Sequence, residues 1–239
     1  MSSTVRTTGA LGYLLHATPY RETSLVVEIF TRDYGRVAAV AKGARRPRSA
    51  LRPVLLQFQP LSVSYMGRGE LRTLTAVEWV GGVDAPRGDA LLCAFYLNEL
   101  LVKLLAREDA HPGLFEAYVL ALREMGAGGA LDETLRRFEW TLLRETGYAP
   151  DLACDTAARP IEAQQTYAWR PGAGFARVAE DSGAATIVHG STLHDIAAGC
   201  YAARYSRQEA KYLMRAIVGH HLEGGVLHSR QILIDLQGL

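Results

Sequence analysis

The first 81 residues place apolar side chains in short, mostly alternating runs that predict β-strands. Short segments rich in Gly, Pro, Asp and Arg separate five such runs: ALGYLLHAT, SLVVEIFT, RVAAVAKGA, PVLLQFQPLSVSYM and ELRTLTAVEWV. A β-sandwich usually needs about seven strands over about 100 residues. Five strands in about 80 residues therefore favour a small closed barrel of the oligonucleotide- and oligosaccharide-binding (OB) type.

Beyond Gly81-Gly82 the apolar positions follow a helical period. The pattern predicts three helices: from Asp89 to about Arg107, from near Pro112 to Met125, and from about Leu131 to Thr146. The first of these is apolar on most sides, which is typical of a nearly buried helix.

Residues 148–190 are irregular, with possible short strands at TYAWR, GFARVA and ATIVH. A short helix near 193–198 and a longer helix follow, and the longer one is predicted to begin at Ser206 with Glu209 completing a capping box. The predicted fold is α+β, with an N-terminal five-stranded OB-fold barrel at 1–81 and an α-helical domain at 86–147. A C-terminal irregular and helical segment at 148–239 is expected to pack on the helical domain.

Composition is that of a folded globular protein, with 49% hydrophobic and 21% charged residues. The chain has no apolar run near the roughly 18 residues that span a bilayer, and the start MSSTVRTTGA lacks a secretory signal pattern. Its three cysteines are too few and too scattered for a disulfide framework. We therefore expect a protein of the reducing cytoplasm that makes no membrane contact.

Charge is divided unevenly along the chain, although the net charge is only +1. Residues 1–81 carry eleven Lys and Arg against five Asp and Glu, which leaves 15 cations and 20 acids for the rest. An excess of positive charge in one segment favours a polyanionic partner there.

The positive charge concentrates in KGARRPRSALR, residues 42–52. A cationic run is often only a solvated face, and that interpretation stays open. However, loops of OB barrels commonly line oligonucleotide grooves, and guanidinium groups suit phosphate oxygens and base stacking. Tyr34 and Tyr65 could add aromatic surface. The predicted nucleic-acid-binding residues of the barrel are Arg36, Lys42, Arg45, Arg46, Arg48, Arg52, Arg68 and Arg72.

Catalytic and metal-binding motifs are weak by comparison. GRGELR has Arg72 where a dinucleotide fingerprint needs its third glycine, and the chain has no GK[ST] or GxSxG motif. The histidines and cysteines of the C-terminal half match neither CxxC pairs nor HExxH. We predict a protein without enzymatic activity, cofactor or metal. An enzyme that uses this His-rich half, and an OB-fold adaptor that binds RNA, remain alternatives.

The ordered motifs ETSL, FTxxxGR, AKGAR, GRGEL and RRFE resemble the bacterial recombination mediator (RecO) family. The resemblance extends through FYLNELLVKLL and the terminal GGVLHSRQIL, and is weakest between about 154 and 201. It implies an OB fold followed by a helical domain. It also implies binding of single- and double-stranded DNA, annealing of complementary strands, and partnership with RecR. With RecR, such a protein assists RecA loading on DNA coated by single-stranded DNA-binding protein (SSB). We accordingly expect a nucleoid-associated protein that is monomeric when alone.

One departure from the family concerns zinc. Many relatives carry two CxxC pairs after the segment that reads GYAPDL here, whereas this chain has only Cys154 nearby. One thiolate cannot hold a tetrahedral zinc ion, so the ribbon-like region at 148–190 is expected to fold without it.

Two further binding sites are predicted on helices. Arg207, Lys211 and Arg215 recur at i, i+4 and i+8 and could form a second DNA path, with a solvated charged face as the alternative. The acidic, phenylalanine-ending tail of SSB needs an apolar pocket and a cation, for which LRRFE is a candidate; Arg136 and Arg137 could instead pair with acids on their own helix. The predicted tail-binding residues are Arg136, Arg137, Phe138, Tyr96 and Leu100.

Overall fold

The computed structural model describes residues 5–82, 84–179, 186–201, 203–222, 225–229 and 231–232 of the 239. The described residues group into two compact units. The first contains the chain up to Gly129 together with the segment that begins at Leu227, and the second runs from Ala130 to Val226. The three domains predicted from the sequence, residues 1–81, 86–147 and 148–239, have boundaries that differ from those of the two units. That division stays a prediction.

The first unit is built on a closed five-stranded barrel, as predicted. Its strands are β1 (Val5–Tyr20), β2 (Ser24–Thr31), β3 (Gly35–Ala41), β4 (Pro60–Gly67) and β5 (Leu71–Trp79). They close in the order β1-β2-β3-β5-β4, and β3 and β5 pair in parallel while the other neighbours are antiparallel. Inward-facing residues such as Leu14, Val27, Ile29, Leu61 and Val63 fill the barrel.

Strand β1 closes the barrel because it bends. Register shifts occur between Thr7 and Ala10 and between Leu14 and His16, and Gly9 adopts φ +67° at the first of them. Bulges of this kind bend a strand and increase its twist. One 16-residue strand therefore pairs with β4 through its first half and with β2 through its second.

Two helices of the first unit pack on the barrel, α1 (Asp89–Leu104) and α2 (Pro112–Gly126). The aromatic rings of Tyr13 and Tyr118 meet edge-on at 5.4 Å. Asn98, buried on α1, donates to the carbonyl of Leu15 at 3.0 Å and accepts from the hydroxyl of Tyr118 at 2.6 Å. Because both polar ends of Asn98 are satisfied, this buried amide joins helix and barrel instead of destabilising them.

The second unit combines three helices with a small antiparallel sheet. Its elements are α3 (Leu131–Glu145), β6 (Thr166–Arg170), β7 (Gly174–Val178), β8 (Ile187–His189), α4 (Gly190–Ala198) and α5 (Arg204–His221). The sheet order is β7-β6-β8, and its strands lie where the three short apolar segments predicted them.

The predicted capping box at Ser206 is wrong. Helix α5 begins two residues earlier, at Arg204, and Ser206 is buried within its first turn. The Glu209 carboxylate accepts instead from the His189 backbone N–H at 2.9 Å and from the Thr192 hydroxyl at 2.5 Å. The Glu209 carboxylate therefore binds residues that are distant in sequence, and not the backbone at the start of α5 as the capping box predicted.

Candidate nucleic-acid interface

The basic loop, residues 42–59, joins β3 to β4 and has one apolar and one cationic side. Ala44 is buried in the barrel core, and Leu51, Val54 and Leu55 are half-buried against that core. The cations of the loop point the other way: Lys42, Arg45, Arg46, Arg48 and Arg52 are all exposed. Burial of the apolar side fixes the loop to the barrel, so its positive charges are presented to solvent by a packed element.

Successive turns organise the loop backbone. The N–H of Arg46 donates to the carbonyl of Gly43 at 3.1 Å, that of Ser49 to Arg46 at 3.1 Å, and that of Arg52 to Ser49 at 3.3 Å. Because each turn satisfies backbone groups internally, the guanidinium groups remain available for external acceptors. No Asp or Glu occurs between Tyr34 and Gly69, so no acid within the loop offsets them.

The turn between β1 and β2 lies beside the basic loop. Arg45 donates its backbone N–H to the carbonyl of Thr23 at 2.9 Å, and its guanidinium approaches the carbonyl of Arg21 at 3.4 Å. Arg21 is exposed, and its guanidinium carbon lies 5.2 Å from the centre of the Tyr20 ring. Sequence reasoning missed these two side chains. The signal was available in the barrel order, which brings the start of β2 next to the end of β3.

The other predicted barrel cations, Arg36, Arg68 and Arg72, lie near the opposite end of β3. Arg36 follows the first residue of that strand, six residues before Lys42, or roughly 20 Å along an extended chain. Arg68 is exposed in the β4–β5 turn, and Arg72 of β5 pairs with Ala39 of β3. The structure therefore separates the predicted set into two groups.

Arg36 and Arg72 have partners within the first unit. The Arg36 guanidinium contacts the Glu28 carboxylate at 2.9 Å and the carbonyl of Leu105 at 3.0 Å. Arg72 is buried and lies 2.6 Å from the Glu108 carboxylate. These ion pairs connect the barrel to the segment after α1. DNA binding by Arg36 and Arg72 stays a prediction. In the structure, both side chains stabilise the contact between the barrel and the segment after α1.

Arg107 completes this ionic network through Glu28 and Glu70. Its hydrogen bond to Glu28 raises the pKa of the Arg107 guanidinium. Because Glu28 is itself mostly buried, the two arginines that flank it compensate a charge that would otherwise be costly to hold there.

In the second unit, the predicted cations of α5 differ in their surroundings. Arg207 lies 3.5 Å from Glu133 of α3, whereas Lys211 and Arg215 are exposed. The structure thus gives Arg207 an internal acid and leaves the other two directed to solvent.

The residues predicted for the SSB tail do not share one exposed surface. Arg136 is buried, with its guanidinium 2.8 Å from the Glu139 carboxylate, and Arg137 lies 3.7 Å from Glu133. These pairings within one helix are those of the alternative interpretation. Tyr96 and Leu100 belong to the first unit, where Leu100 is fully buried, and Phe138 is buried in the second. Their role in tail binding stays a prediction.

An aspartate organises the turn next to Cys154, in the region that was expected to fold without zinc. The Asp155 carboxylate accepts backbone N–H groups of Ala157 at 2.8 Å and Arg159 at 3.0 Å, and it pairs with the Arg159 guanidinium at 2.7 Å. The hydrogen bond from the Arg159 side chain, helped by those backbone bonds, lowers the pKa of Asp155. A backbone bridge between Cys154 and Pro160 closes the turn. Among the described residues, no group of three His, Cys, Asp or Glu side chains is placed to hold a metal ion.

A closed barrel with the order β1-β2-β3-β5-β4 places the first unit in the OB-fold class. Comparison with known families refines that class. The family model described as "Recombination protein O N terminal" matches residues 3–83, and the one described as "Recombination protein O C terminal" matches residues 86–231. The chain belongs to the RecO family.

Proteins named DNA repair protein RecO resemble this chain over most of its length. The protein of Ralstonia nicotianae is 49% identical over 228 residues, covering 95% of this chain and 84% of its own. Those of Burkholderia pseudomallei and Aromatoleum aromaticum are each 50% identical over 228 residues, covering 95% of this chain and 83% and 95% of their own. Among the helices that the structure describes, none is long and apolar enough to cross a membrane.

Proposed function

We propose that this protein binds single- and double-stranded DNA through the basic loop of its barrel. The observation that carries the proposal is the two-sided loop, whose apolar side packs on the barrel core while five cations face solvent. Phosphate contacts from such a surface give affinity without sequence preference. Arg21 and the Tyr20 ring extend this surface across the neighbouring turn.

We further propose that the protein anneals complementary strands and, with RecR, assists RecA loading on SSB-coated DNA during recombinational repair in the cytoplasm. Membership of the RecO family and the repair names of its relatives support this role. Binding and positioning are sufficient for it, so no covalent step is assigned to the chain. A cationic surface promotes annealing because it reduces the repulsion between two phosphate backbones.

For the SSB tail we propose the α3 surface around Arg137. The Arg137 side chain is 36% exposed at the edge of a helix whose neighbouring Phe138 is buried, and a guanidinium can take a terminal carboxylate with two hydrogen bonds. Arg136 is less suitable because its guanidinium is buried against Glu139.

The test of DNA binding is the triple replacement of Arg45, Arg46 and Arg48 by Ala. Each phosphate contact on a single strand contributes about 0.7 to the slope of log K against log salt, so losing three should reduce the slope by about 2. The affinity should fall for oligonucleotides of any sequence, and annealing of SSB-coated strands should slow.

A matched control removes three exposed arginines elsewhere, Arg87, Arg144 and Arg170, and so carries the same change of net charge. Only the loop variant should show a reduced slope of log K against log salt. An unchanged slope in the loop variant would reduce the basic loop to a solvated surface, and equal losses in both variants would show a general charge effect. Parallel titrations with RNA of the same sequence measure whether the surface prefers DNA.

A further inference from the structure

Helix α5 of the second unit has one buried and one exposed face, and the exposed face is cationic and aromatic. The buried face packs Ser206, Ala210, Leu213, Met214, Ile217 and Val218. The exposed face carries Arg204, Tyr205, Gln208, Lys211, Tyr212 and Arg215. The single acid of the helix, Glu209, is engaged by His189 and Thr192. No negative charge of α5 therefore opposes the cations on this face.

The three cations form a row along the helix. Arg204, Lys211 and Arg215 are spaced by seven and four residues, so they lie on one side of the helix and extend over roughly 16 Å. All three are exposed, and none forms an ion pair within the part of the chain that the structure describes. Three unopposed cations at this spacing form a surface for a linear polyanion.

A row of aromatic side chains runs beside the cations. Tyr205 and Tyr212 are 50% and 53% exposed, and their separation of seven residues corresponds to roughly 10 Å along the helix. Near the end of the helix, His220 meets the ring of Trp169 at 5.8 Å. Large aromatic groups left half in water offer their faces to planar ligands.

A recess of about 450 Å³ opens beside the first of these rings. Tyr205, His189 and Gln164 line it together with Ser191, whose hydroxyl lies 3.2 Å from that of Tyr205. Its walls combine aromatic faces with hydrogen-bonding groups, which suits a planar polar ring.

We propose that the exposed face of α5 binds single-stranded nucleic acid, with phosphates along Arg204, Lys211 and Arg215 and unpaired bases on Tyr205 and Tyr212. Parallel rows of cations and aromatic rings match a strand that carries its phosphates on one side and its bases on the other. A duplex keeps its bases stacked inside, so it can use only the cations. The inference extends the proposed DNA-binding function to a second site, whose contribution can be measured separately from that of the basic loop.

The experiment compares two labelled single strands of about 16 nucleotides, oligothymidylate and an abasic strand of equal length. Tyr205→Ala with Tyr212→Ala should weaken oligothymidylate binding by at least about fivefold per base that loses its stacking, and should leave abasic binding unchanged. The corresponding Phe variants keep the rings and should bind like wild type. Lys211→Ala with Arg215→Ala should weaken both strands and reduce the salt slope by about 1.4.

Equal affinities of wild type and the tyrosine variant for oligothymidylate would overturn the proposal. A loss of the same size on both strands would also overturn it, because stacking requires bases. Tyr212→Ala alone repeats the test with the ring that lies farther from the recess, which guards against disturbance of the Tyr205 surroundings. An acidic peptide that loses affinity in these variants while oligothymidylate does not would identify a peptide site instead.

The loop variant that replaces Arg45, Arg46 and Arg48 is titrated with the same strands. If wild type binds neither strand, the proposed function fails. If the loop variant weakens binding and the α5 variants do not, the second site alone is refuted.

Discussion

The Glu99 carboxylate of α1 binds the segment that begins at Leu227, and we predict that Glu99→Gln loosens this attachment. Glu99 accepts the backbone N–H of His228 at 2.9 Å with one oxygen. Its other oxygen accepts the backbone N–H of Ser229 at 2.9 Å and the Ser229 hydroxyl at 2.6 Å. Lys103, one helical turn along α1, lies 3.1 Å from the first oxygen. Both oxygens of the carboxylate are therefore needed.

The strength of this attachment follows from the pKa of Glu99. Burial raises the pKa, but the hydrogen bonds from Ser229, His228 and Lys103 outweigh burial and lower it from 4.5 to about 2. This lowering corresponds to at most about 3 to 4 kcal/mol of differential stability. Because the folded pKa is below the unfolded one, the contribution is complete above pH 4.5 and is lost as the pH falls towards 2.

A glutamine side chain has the same shape but only one acceptor oxygen, and its NH2 group would face N–H donors. The expected cost is about 2 to 3 kcal/mol, since hydrogen bonds to a charged group are lost and the partly buried donors of Ser229 are left unsatisfied. Hydrogen exchange at pH 7 should therefore accelerate by roughly 30- to 150-fold at His228 and Ser229, and little in the barrel strands. Wild type should lose the same protection between pH 4.5 and 2, after correction for intrinsic exchange.

The control is Glu116→Gln, which removes an exposed carboxylate from α2. It should leave exchange of the His228 and Ser229 amides at the wild-type rate. If Glu99→Gln also left that rate unchanged, the carboxylate would not be what holds the segment. If exchange accelerated equally throughout the barrel, Glu99 would act on global stability instead.

Two further predictions concern α3 and the barrel. Arg137→Ala should weaken binding of a labelled SSB tail peptide roughly ten- to a hundredfold, because a charged hydrogen-bonding partner is lost. Arg144→Ala, on the same helix, should leave the affinity unchanged. If both variants bind the peptide with equal affinity, the tail binds elsewhere. Gly35→Ala should lower the free energy of unfolding, measured by chemical denaturation, by at least about 1 to 2 kcal/mol. Gly35 adopts φ +66°, and a Cβ there would lie 1.9 Å from the Asp109 carbonyl oxygen. A variant as stable as wild type would contradict this packing.

The barrel could be predicted from the sequence because each strand carries its own signal. Alternation of apolar side chains and the turn residues between runs are local properties, and they located five strands. The predicted start of the fourth was wrong, because residues 53–59 belong to the loop and β4 begins at Pro60. The positive charge of the basic loop was equally local, because its five cations fall within residues 42–52 with no acid among them. The packing of Leu51 and Leu55 on the barrel core was not predicted.

Pairings over long sequence distances could not be predicted in the same way. Arg72 binds Glu108, and Arg36 binds the carbonyl of Leu105, because the fold brings α1's end to the barrel. Glu209 sits where a local capping motif expects it, yet its partners come from β8 and α4. The local sequence around an arginine does not specify which acid it will pair with. The tertiary fold decides that partner, because it brings together residues that are distant in sequence.

The chain leaves the first unit at Gly129 and rejoins it at Leu227, so the second unit is an insertion. This order has a consequence for synthesis on the ribosome. At 5 to 20 residues per second, the roughly 100 intervening residues take about 5 to 20 s to emerge. Throughout that interval α1 exists without the backbone donors that Glu99 will accept. The second unit is continuous in sequence, so all of its residues have been synthesised before the first unit receives its last segment, which begins at Leu227.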